Sequence, residues 1–489
     1  MKHPPAAVVV LAAGAGTRMR SRTPKVLHSV AGRSLLGHAI YAGRALSPDR
    51  LVVVVRHERD GVVRETMAVD SSVLIADQDE IPGTGRAVQC ALERLESEGI
   101  DVDRPIVVTA ADTPLLDGDT LVRLVEEHER GGNAVTLLTA HVRDATGYGR
   151  IVRDGDQVAE IVEEKDATDE QRAITEINAA VYVFEPRTLA EALSGVGQAN
   201  AQGEVYLTDV VKIARAAGKS VNGVVVDDSC TVEGCNDKVQ LAALGKEMNR
   251  RIVERWMRAG VTVVDPATTW IDVDVELAPD VTVEPNVQLK GACRVETGAV
   301  IGPDTTLTDV EVGQGASIIR THGSLAVIGA DATVGPFAYL RPGTYLDEDG
   351  KIGTFVETKN AKIGKGSKVP HLSYVGDADI GEQTNIGAAS VFVNYDGVNK
   401  RRSTVGSHCR TGSDNMFVAP VNVGDGAYTG AGTTIREDVP PGSLAINPST
   451  QRNIDYWVLR SRPGTAAAEA AAKALGISDD DATAFEGSK

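Results

Sequence analysis

Two periodicities of apolar residues divide the chain. Up to about residue 235, short runs of consecutive apolar residues alternate with stretches of helical spacing, such as Arg86–Leu95. Such alternation predicts an α/β domain, with a Rossmann-like, mostly parallel sheet covered by helices on both faces. The runs that we predict to be buried strands are Val8–Leu11, Leu51–Val55, Val73–Ile75, Ile106–Thr109, Val135–Leu138 and Val181–Phe184.

The second periodicity begins near residue 263 and repeats every six residues. Val281, Val287, Cys293 and Ala299 mark it, and pairs of an aliphatic residue with Gly continue it. A six-residue repeat is typical of hexapeptide proteins, in which three repeats form one coil of a parallel β-helix. Known hexapeptide proteins wind left-handed, against the usual crossover preference, so we expect a left-handed parallel β-helix.

One long amphipathic stretch separates the two patterns. Its apolar stripe includes Leu241, Met248 and Trp256 and ends at Gly260, which predicts a connecting helix. The chain has 489 residues, too many for a single core. We therefore predict an α/β domain over 1–236, a linker helix over 237–262, a β-helix over 263–460 and a flexible or weakly helical tail over 461–489.

The composition of the chain argues against nucleic-acid-binding, membrane and disulfide-rich secreted proteins. The net charge of −18 disfavours binding to nucleic acid or to an anionic membrane. Five scattered cysteines indicate reduced thiols and a cytoplasmic protein. Nowhere in the sequence is there a run of the roughly 20 apolar residues that span a bilayer.

The loop after the first predicted strand is a candidate phosphate site. It contains Gly14 and Gly16, whose backbone can approach a phosphate closely, and the cations Arg18 and Lys25. Asp112 follows another predicted strand and suits Mg²⁺ shared with phosphates, although an Asp before Thr-Pro is also a common turn residue. Gln78 has both a donor and an acceptor for the edge of a pyrimidine base.

The string G-x-G-T-R-M…P-K, from Gly14 to Lys25, resembles the signature of sugar-nucleotide pyrophosphorylases. The resemblance implies that Arg18 and Lys25 act in catalysis and that Mg²⁺ binds Asp112 and Asn236. Asn236 is also a candidate cap of the helix that follows it, and the two roles are compatible. The resemblance also implies that UTP and the sugar nucleotide contact Leu11, Ala12, Ala13, Gly14, Lys25, Gln78, Gly83, Thr84, Gly149, Glu163, Asn178 and Asn236.

Polar residues interrupt the six-residue repeat in one region. Arg341 and Lys359 are candidate ligands of a sugar phosphate, and His371 has the pKa range of a general base near neutral pH. A lone histidine is more often structural, but His371 lies within a run of polar residues that extends to Tyr374.

This region, together with Asn394-Tyr395-Asp396-Gly397, resembles the acetyltransferase half of the bacterial bifunctional enzymes that make UDP-N-acetylglucosamine, a cell-wall precursor. The resemblance extends from about residue 6 to 460. It implies that His371 is the general base, oriented by Glu357, and that the protein is a homotrimer in which Trp457 reaches a neighbouring subunit. The implied ligands of glucosamine 1-phosphate are Arg341, Lys359, Tyr374 and Asn385. Those of acetyl-CoA are Ala388, Asn394, Tyr395, Ser413, Ala431 and Arg452, and Asn394 and Tyr395 are candidates for the sugar phosphate as well.

Two alternatives stay open at this point. The β-helix is either a second catalytic unit or a non-catalytic scaffold on a nucleotidyltransferase, and His371 distinguishes the two. The chain is alternatively a trimeric binding protein without catalysis. Two departures from the family pattern favour this alternative: Ala111 replaces a usual Gly, and Ala389 interrupts the family's repeat. A third departure concerns coenzyme A, because Arg452 is the nearest basic residue to the site where family members place an Arg.

Overall fold

The first half of the chain forms a mixed β-sheet covered by helices. The computed structural model describes residues 3–100, 103–447 and 450–477. Seven strands lie side by side in the order β11-β7-β10-β6-β1-β4-β5, and β8 pairs with β10 and β9. Their bounds are β1 (Ala7–Leu11), β4 (Arg50–Val55), β5 (Leu74–Asp77), β6 (Ile106–Ala110), β7 (Val135–His141), β8 (Arg150–Asp154), β9 (Gln157–Val162), β10 (Glu176–Phe184) and β11 (Val221–Val225), with a separate hairpin of β2 (Ser29–Val30) and β3 (Arg33–Ser34).

The predicted α/β class is confirmed, and each predicted strand overlaps an observed one. The pairs β1–β4, β1–β6, β4–β5 and β11–β7 are parallel. β10 is antiparallel to β6 and β7, and β8 is antiparallel to β9. The strands β8, β9 and β11 were not predicted, because polar and glycine residues interrupt their apolar pattern.

Helices bury apolar residues against both faces of this sheet. Along β1, Val8 and Val10 belong to the core on one face, and Ala7 and Val9 to the core on the other. Each of these side chains is fully buried. The helices are α1 (Leu35–Arg44), α2 (Arg59–Val69), α3 (Thr84–Ser97), α4 (Gly118–Gly131), α5 (Asp169–Arg172), α6 (Pro186–Ser194) and α7 (Asp209–Ala216).

The predicted connecting helix is α8 (Lys238–Arg258). Its N-cap is Asp237, whose carboxylate accepts hydrogen bonds from the backbone N–H groups of Val239 and Gln240. Asn236 is therefore not the cap, and its side chain is free to face the end of the sheet.

The second half is a parallel β-helix. Strand residues pair 18 positions apart in its first coils, as for Trp270 with Gln288 and Leu289 with Leu307, so that three hexapeptides make one coil. Stacked apolar residues, mostly aliphatic, fill a continuous core from Val261 to Val439, and Ile252 and Val253 of α8 pack onto it.

One sheet of the β-helix contains β12 (Thr262–Val263), β15 (Thr282–Val283), β18 (Val300–Ile301), β21 (Ser317–Ile318), β24 (Thr333–Val334), β27 (Lys351–Thr354) and β29 (Lys368–His371). The long curled sheet contains β13 (Trp270–Ile271), β14 (Glu276–Leu277), β16 (Gln288–Lys290), β17 (Arg294–Val295), β19 (Thr306–Thr308), β20 (Glu311–Val312), β22 (Thr321–Ser324), β23 (Ala326–Ile328), β25 (Ala338–Leu340), β26 (Thr344–Leu346), β28 (Glu357–Ile363), β30 (Tyr374–Ile380), β31 (Val391–Val393), β32 (Ser403–Val405), β33 (Met416–Val418), β34 (Asn422–Val423) and β36 (Thr434–Ile435). A last pair contains β35 (Tyr428–Thr429) and β37 (Leu444–Ala445).

The chain beyond the β-helix contains two short helices. They are α9 (Trp457–Ser461) and the Ala-rich α10 (Ala466–Leu475), which pack on each other through Leu459, Ala468 and Ala472. The part of the predicted tail over 478–489 lies outside the described residues. Among the described helices, none combines the length and apolarity that crossing a membrane requires.

Candidate active sites

The first site lies where parallel strands of the mixed sheet end. The carboxyl ends of β1, β4 and β6 meet at one edge, because these strands pair in register. A cavity of about 450 Å³ opens there. Its lining includes the predicted residues Leu11, Ala12, Ala13, Gly14, Lys25, Gln78, Gly83, Thr84 and Asp112.

Two cations and two oxygen ligands meet at one end of this cavity. Lys25 Nζ forms an ion pair with the Asp112 carboxylate and donates a hydrogen bond to Asn236 Oδ1 at 3.0 Å. Arg18 Nη2 donates to the same Asn236 oxygen at 2.8 Å. The structure thus joins four predicted residues that lie on three distant segments of the sequence.

Backbone contacts position the two oxygen ligands. The N–H of Cys235 donates to the carbonyl of Asp112 at 2.8 Å, which fixes the segment before α8 against the Asp112 loop. Gly234 lies beside the Asp112 carboxylate and the Asn236 amide. A carboxylate and an amide oxygen are hard ligands of the kind that Mg²⁺ prefers when phosphates complete its coordination. Within the described ranges, no cluster of three or more His, Cys, Asp or Glu side chains suits a metal ion held by protein alone.

Gln78 lines the same cavity. Its amide Nε2 donates to the carbonyls of Ile81 and Gly83 at 2.9 and 3.1 Å. These bonds hold the loop before α3 and use both N–H groups, so that the carbonyl Oε1 is left to accept from a ligand. Of the donor and the acceptor that the sequence predicts at Gln78, only the acceptor is therefore available to a ligand.

Gly83 is required by the packing of this loop. Its φ of +122° belongs to the glycine region, and a Cβ at this position would lie 2.2 Å from the carbonyl oxygen of Val205. The hydroxyl of Thr84 accepts a hydrogen bond from the N–H of Leu207 at 3.1 Å. Both residues therefore join the loop to the 205–207 segment as well as line the cavity.

The three residues predicted to contact the sugar lie together. A Cβ at Gly149 would be 3.6 Å from both Asn178 Cβ and Glu163 Oε2, and the Asn178 N–H donates to the Gly149 carbonyl. Burial raises the pKa of Glu163, and the nearby carboxylates of Asp166, Asp209 and Glu204 add to the shift. The amide of buried Asn178 donates to the Tyr182 hydroxyl at 2.6 Å.

The cavity also contains residues that the sequence had not indicated. Arg56 and His57 follow β4 directly, the Ala180 N–H donates to Asn178 Oδ1, and the Glu204 carboxylate lies near Glu163. Arg56 Nη2 donates to the Glu80 carbonyl at 3.1 Å and thereby holds the loop that carries Gln78. Arg56 and His57 could have been predicted from the sequence, because they directly follow a predicted strand and ligands bind at the carboxyl ends of parallel strands.

The second cluster lies on the β-helix, where Arg341, Glu357 and Tyr374 come from three successive coils. Arg341 Nη1 donates to Glu357 Oε1 at 2.9 Å, and Glu357 pairs in register with Tyr374. Lys359 follows on the same strand as Glu357. The pKa of Lys359 is lowered because the ammonium group of Lys400 lies close to it. Lys400 had not been predicted, and its convergence with Lys359 favours an anion there.

Asn394 joins this cluster through its side chain. Its amide donates to Asp377 Oδ2 at 2.5 Å and lies 3.5 Å from the Tyr374 hydroxyl. Tyr395 is exposed, and its hydroxyl donates to the carbonyl of Gly397 at 2.6 Å. Asn394 thus lies beside the predicted sugar-phosphate residues, and Tyr395 lies on the loop that leads away from them.

His371 is exposed at the end of β29, separated from Tyr374 by the corner at Leu372 and Ser373. No protein group among the described residues hydrogen-bonds its imidazole. The implied contact with Glu357 is not formed, because the Glu357 carboxylate binds Arg341. The backbone carbonyl of His371 accepts from Ala389 N–H at 3.2 Å, which places His371 next to the coil that carries Ala388.

Three predicted acetyl-CoA residues form a column along one corner of the β-helix. The N–H of Asp414 donates to the Ala388 carbonyl, and the N–H of Gly432, which follows Ala431, donates to the Ser413 carbonyl. Asn385 lies three residues before Ala388 in the same coil, and its N–H donates to the Cys409 carbonyl of the next coil. Arg452 is exposed and has no contact in the described structure that ties it to the column.

The architecture defines a class of protein in which a nucleotidyltransferase-like α/β domain precedes a hexapeptide β-helix. A family model described as a MobA-like NTP transferase domain matches residues 8–207. The bifunctional protein GlmU of Kineococcus radiotolerans is 64% identical over 471 residues, covering 96% of this chain and 95% of the relative. That of Rhodococcus jostii is 62% identical over 477 residues, covering 96% and 95%. That of Mycolicibacterium smegmatis is 57% identical over 476 residues, covering 96% and 98%. The chain belongs to the family of bifunctional GlmU proteins.

Proposed function

We propose that the chain makes UDP-N-acetylglucosamine in two steps at two separate sites. The β-helix transfers an acetyl group from acetyl-CoA to glucosamine 1-phosphate. The α/β domain then transfers UMP from UTP to N-acetylglucosamine 1-phosphate and releases pyrophosphate. The observation that supports this most is the convergence of Arg18, Lys25, Asp112 and Asn236 at the sheet edge, while the polar residues around Arg341 and His371 form a distinct cluster.

In the uridylyl transfer, the phosphate oxygen of the sugar phosphate attacks the α-phosphorus of UTP, and the bond to the bridging oxygen of pyrophosphate breaks. The residues of this site position the reactants and stabilise charge, since no protein nucleophile is needed. Arg18 and Lys25 neutralise the triphosphate, and the backbone N–H groups of the 12–16 loop cradle it. Asp112 and Asn236 would hold Mg²⁺, which when bound supplies further positive charge to the phosphates.

Two groups of residues select the substrates, Gln78 in the cavity and the cluster of Gly149, Glu163 and Asn178. Gln78 Oε1 accepts the imide N–H of uracil, because both of its amide N–H groups already bind the loop. Glu163, Asn178 and the backbone at Gly149 bind the sugar hydroxyls and the acetamido group. The lack of a side chain at Gly149 leaves room for the sugar ring between them.

In the acetyl transfer, the 2-amine of glucosamine 1-phosphate attacks the thioester carbonyl. The N–C bond forms, the C–S bond breaks, and coenzyme A leaves as the thiolate, which takes up a proton. His371 removes the proton from the amine. Arg341, Lys359 and Lys400 bind the phosphate, with Tyr374, Asn385 and Asn394 on the sugar. The corner column of Ala388, Ser413 and Ala431, with Tyr395, lies along acetyl-CoA, and Arg452 pairs with its phosphates.

An apolar edge beside His371 supports a homotrimer. Phe337, Phe355 and Leu372 occupy the same corner of successive coils, are 51, 57 and 61% exposed, and the two phenyl rings stack at 5.3 Å. A contiguous exposed apolar stripe is typical of a protein–protein interface. A second copy of the β-helix fits the straight, periodic shape of this stripe. His371 adjoins Leu372, so the acetyl-transfer site lies between copies, where Trp457 of a neighbouring copy completes it. A monomeric mass in light scattering would contradict this assembly.

We further propose that the chain divides into residues 1–236, 237–262, 263–460 and 461–489, and that the protein acts in the cytoplasm on small soluble substrates. The test is an assay of both half-reactions on one preparation of the full chain. We expect Asp112→Asn to abolish magnesium-dependent pyrophosphate release but not acetyl transfer, and His371→Ala to do the reverse. Unchanged acetyl transfer in His371→Ala would make the β-helix a non-catalytic scaffold.

A further inference from the structure

The first coil of the β-helix contacts the chain segment that carries Lys25. This segment continues from Lys25 into the hairpin of β2 and β3, whose turn is formed by Ala31 and Gly32. The N–H of Val273 donates to the Ala31 carbonyl at 3.0 Å. Arg33 Nη2 donates to Asp274 Oδ1 at 2.5 Å. The hairpin tip is therefore fixed to the β-helix and not only to its own domain.

The same coil also holds the segment that carries Asn236. Helix α8 begins directly after Asn236 and Asp237, and its buried Asn249 makes two hydrogen bonds with the coil. Asn249 Nδ2 donates to the Thr269 carbonyl at 2.7 Å, and Asn249 Oδ1 accepts from the Ile271 N–H at 3.0 Å. Residues 269–274 thus hold both the hairpin that follows Lys25 and the helix α8 that begins after Asn236.

The connection from the hairpin to Lys25 is short and well supported. The N–H of His28 donates to the Lys25 carbonyl at 3.3 Å, and Lys238 Nζ, two residues after Asn236, contacts His28 at 3.2 Å. On the other side, buried His38 hydrogen-bonds the Val30 carbonyl at 2.9 Å. A short hydrogen-bonded segment therefore links the hairpin to the turn that holds Lys25.

We propose that Arg33 and Asp274 are positioning residues for uridylyl transfer. Their ion pair fixes the hairpin on the first coil, and the hairpin in turn holds Lys25 opposite Asn236. The acetyltransferase domain thereby supports the geometry of the other active site. The inference rests on the proposed role of Lys25.

Arg33 is more buried and more fixed in position than the arginine of an ordinary surface ion pair. Its guanidinium group stacks on the Tyr41 ring at 3.6 Å, and its side chain is 17% exposed. The partner Asp274 is 52% exposed, so solvent screens part of the attraction. We therefore expect loss of the pair to reduce uridylyl transfer by about two- to fivefold.

The experiment compares Arg33→Ala, Asp274→Ala, the double variant and the exchanged pair Arg33→Asp/Asp274→Arg in the full chain. Arg294→Ala is the matched control, since Arg294 pairs with Glu276 on the β-helix and does not touch the α/β domain. We expect each single variant to lower kcat of uridylyl transfer, the double variant to be no worse than the singles, and the exchanged pair to recover activity in part. Acetyl transfer, measured in the same preparation, stays unchanged and reports the folded fraction.

Gly32→Ala provides a stronger perturbation of the same contact. The new Cβ would lie 2.6 Å from the Asp272 carboxyl group at a φ of +82°, which forces the hairpin away from the coil. We expect a larger loss of uridylyl transfer than in Arg33→Ala. Wild-type uridylyl kinetics in these variants, or a parallel loss of acetyl transfer, would overturn the proposal. If Lys25→Ala is inactive while Arg33→Ala is normal, the proposed site stands and the positioning role falls.

Discussion

Asn236 Oδ1 accepts a hydrogen bond from Lys25 Nζ at 3.0 Å, although 211 residues separate them in the chain. The same ammonium group pairs with Asp112, whereas the guanidinium group of Arg18 hydrogen-bonds only Asn236 among the residues that the structure describes. Lys25 is thus held by two partners at the end of the cavity, and Arg18 is held by one at its exposed rim.

This asymmetry predicts different effects of removing the two cations. We expect Lys25→Ala to lower kcat of uridylyl transfer by about 10²- to 10³-fold, because a fixed charge near the reacting phosphate is lost. Arg18→Ala should cost about tenfold, mostly in the KM for UTP. Steady-state assays of pyrophosphate release check both. Acetyl transfer is the internal control, and equal losses in the two variants would contradict the asymmetry.

The hydrogen bonds of Gln78 predict selection of the base. Its Oε1 accepts from the imide N–H of uracil, and cytosine has no hydrogen at that nitrogen. We expect CTP to be worse than UTP by about 10- to 100-fold in kcat/KM.

Two variants separate the roles of the Gln78 amide. Gln78→Ala should raise the KM for UTP and reduce the discrimination against CTP. Gln78→Glu keeps an acceptor but loses the donors to Ile81 and Gly83, so it tests whether the loop must be held. Equal use of UTP and CTP by the wild-type chain would show that Gln78 does not read the base.

The sequence predicted the fold well where a single period dominates. The six-residue repeat predicted the β-helix because every coil repeats the same buried aliphatic position, as at Val281, Val287 and Cys293. The α/β sheet was predicted less completely. Strand β8 has the sequence RIVRD, and its fully buried Arg150 is paired with Glu164, so the strand does not have an apolar pattern.

The site was predictable only in part, since hydrogen bonds across the chain decide its geometry. Lys25 and Asp112 were indicated by the loops that follow predicted strands, whereas Asn236 was implied only by the family resemblance. The pairing of Glu357 with Arg341, and the approach of Lys400 to Lys359, depend on which coils stack. The offset between coils cannot be read from residue types alone, because it changes along the β-helix, as between the pairs Leu289–Leu307 and Thr306–His322.

The raised pKa of Glu163 predicts a dependence of sugar binding on pH. Thr208 Oγ1 donates to its carboxylate at 3.1 Å, while burial and the carboxylates of Asp166, Asp209 and Glu204 disfavour the charge. A protonated carboxyl accepts hydrogen bonds from the sugar less well. We therefore expect the KM for N-acetylglucosamine 1-phosphate to rise on acidification, beginning above the ordinary Glu pKa of 4.5.

Glu163→Gln is the control that separates this effect from titration of the substrate phosphate. Because glutamine does not titrate, this variant should remove the contribution of residue 163 to the pH dependence of the KM for N-acetylglucosamine 1-phosphate. Because the folded state binds this proton more tightly than the unfolded state, Glu163 stabilises the fold less as the pH rises through its raised pKa. The melting temperature of wild type relative to Glu163→Gln should accordingly fall from acidic to neutral pH. A constant difference would contradict the assignment.

The Arg341–Glu357 ion pair predicts that Glu357 acts on substrate binding in the acetyl transfer. If Glu357 mainly holds Arg341 for the sugar phosphate, Glu357→Gln should raise the KM for glucosamine 1-phosphate by up to about fivefold, with little change in kcat or its pH profile. His371→Ala should lower kcat by about 10²- to 10⁴-fold with an unchanged KM, since it removes the general base. Lys365→Ala is a suitable control, because Lys365 pairs with Glu348 at 2.8 Å on the same β-helix. A shifted pH profile in Glu357→Gln would instead assign Glu357 to the His371 imidazole, in a geometry that forms only when substrate or a neighbouring subunit is bound.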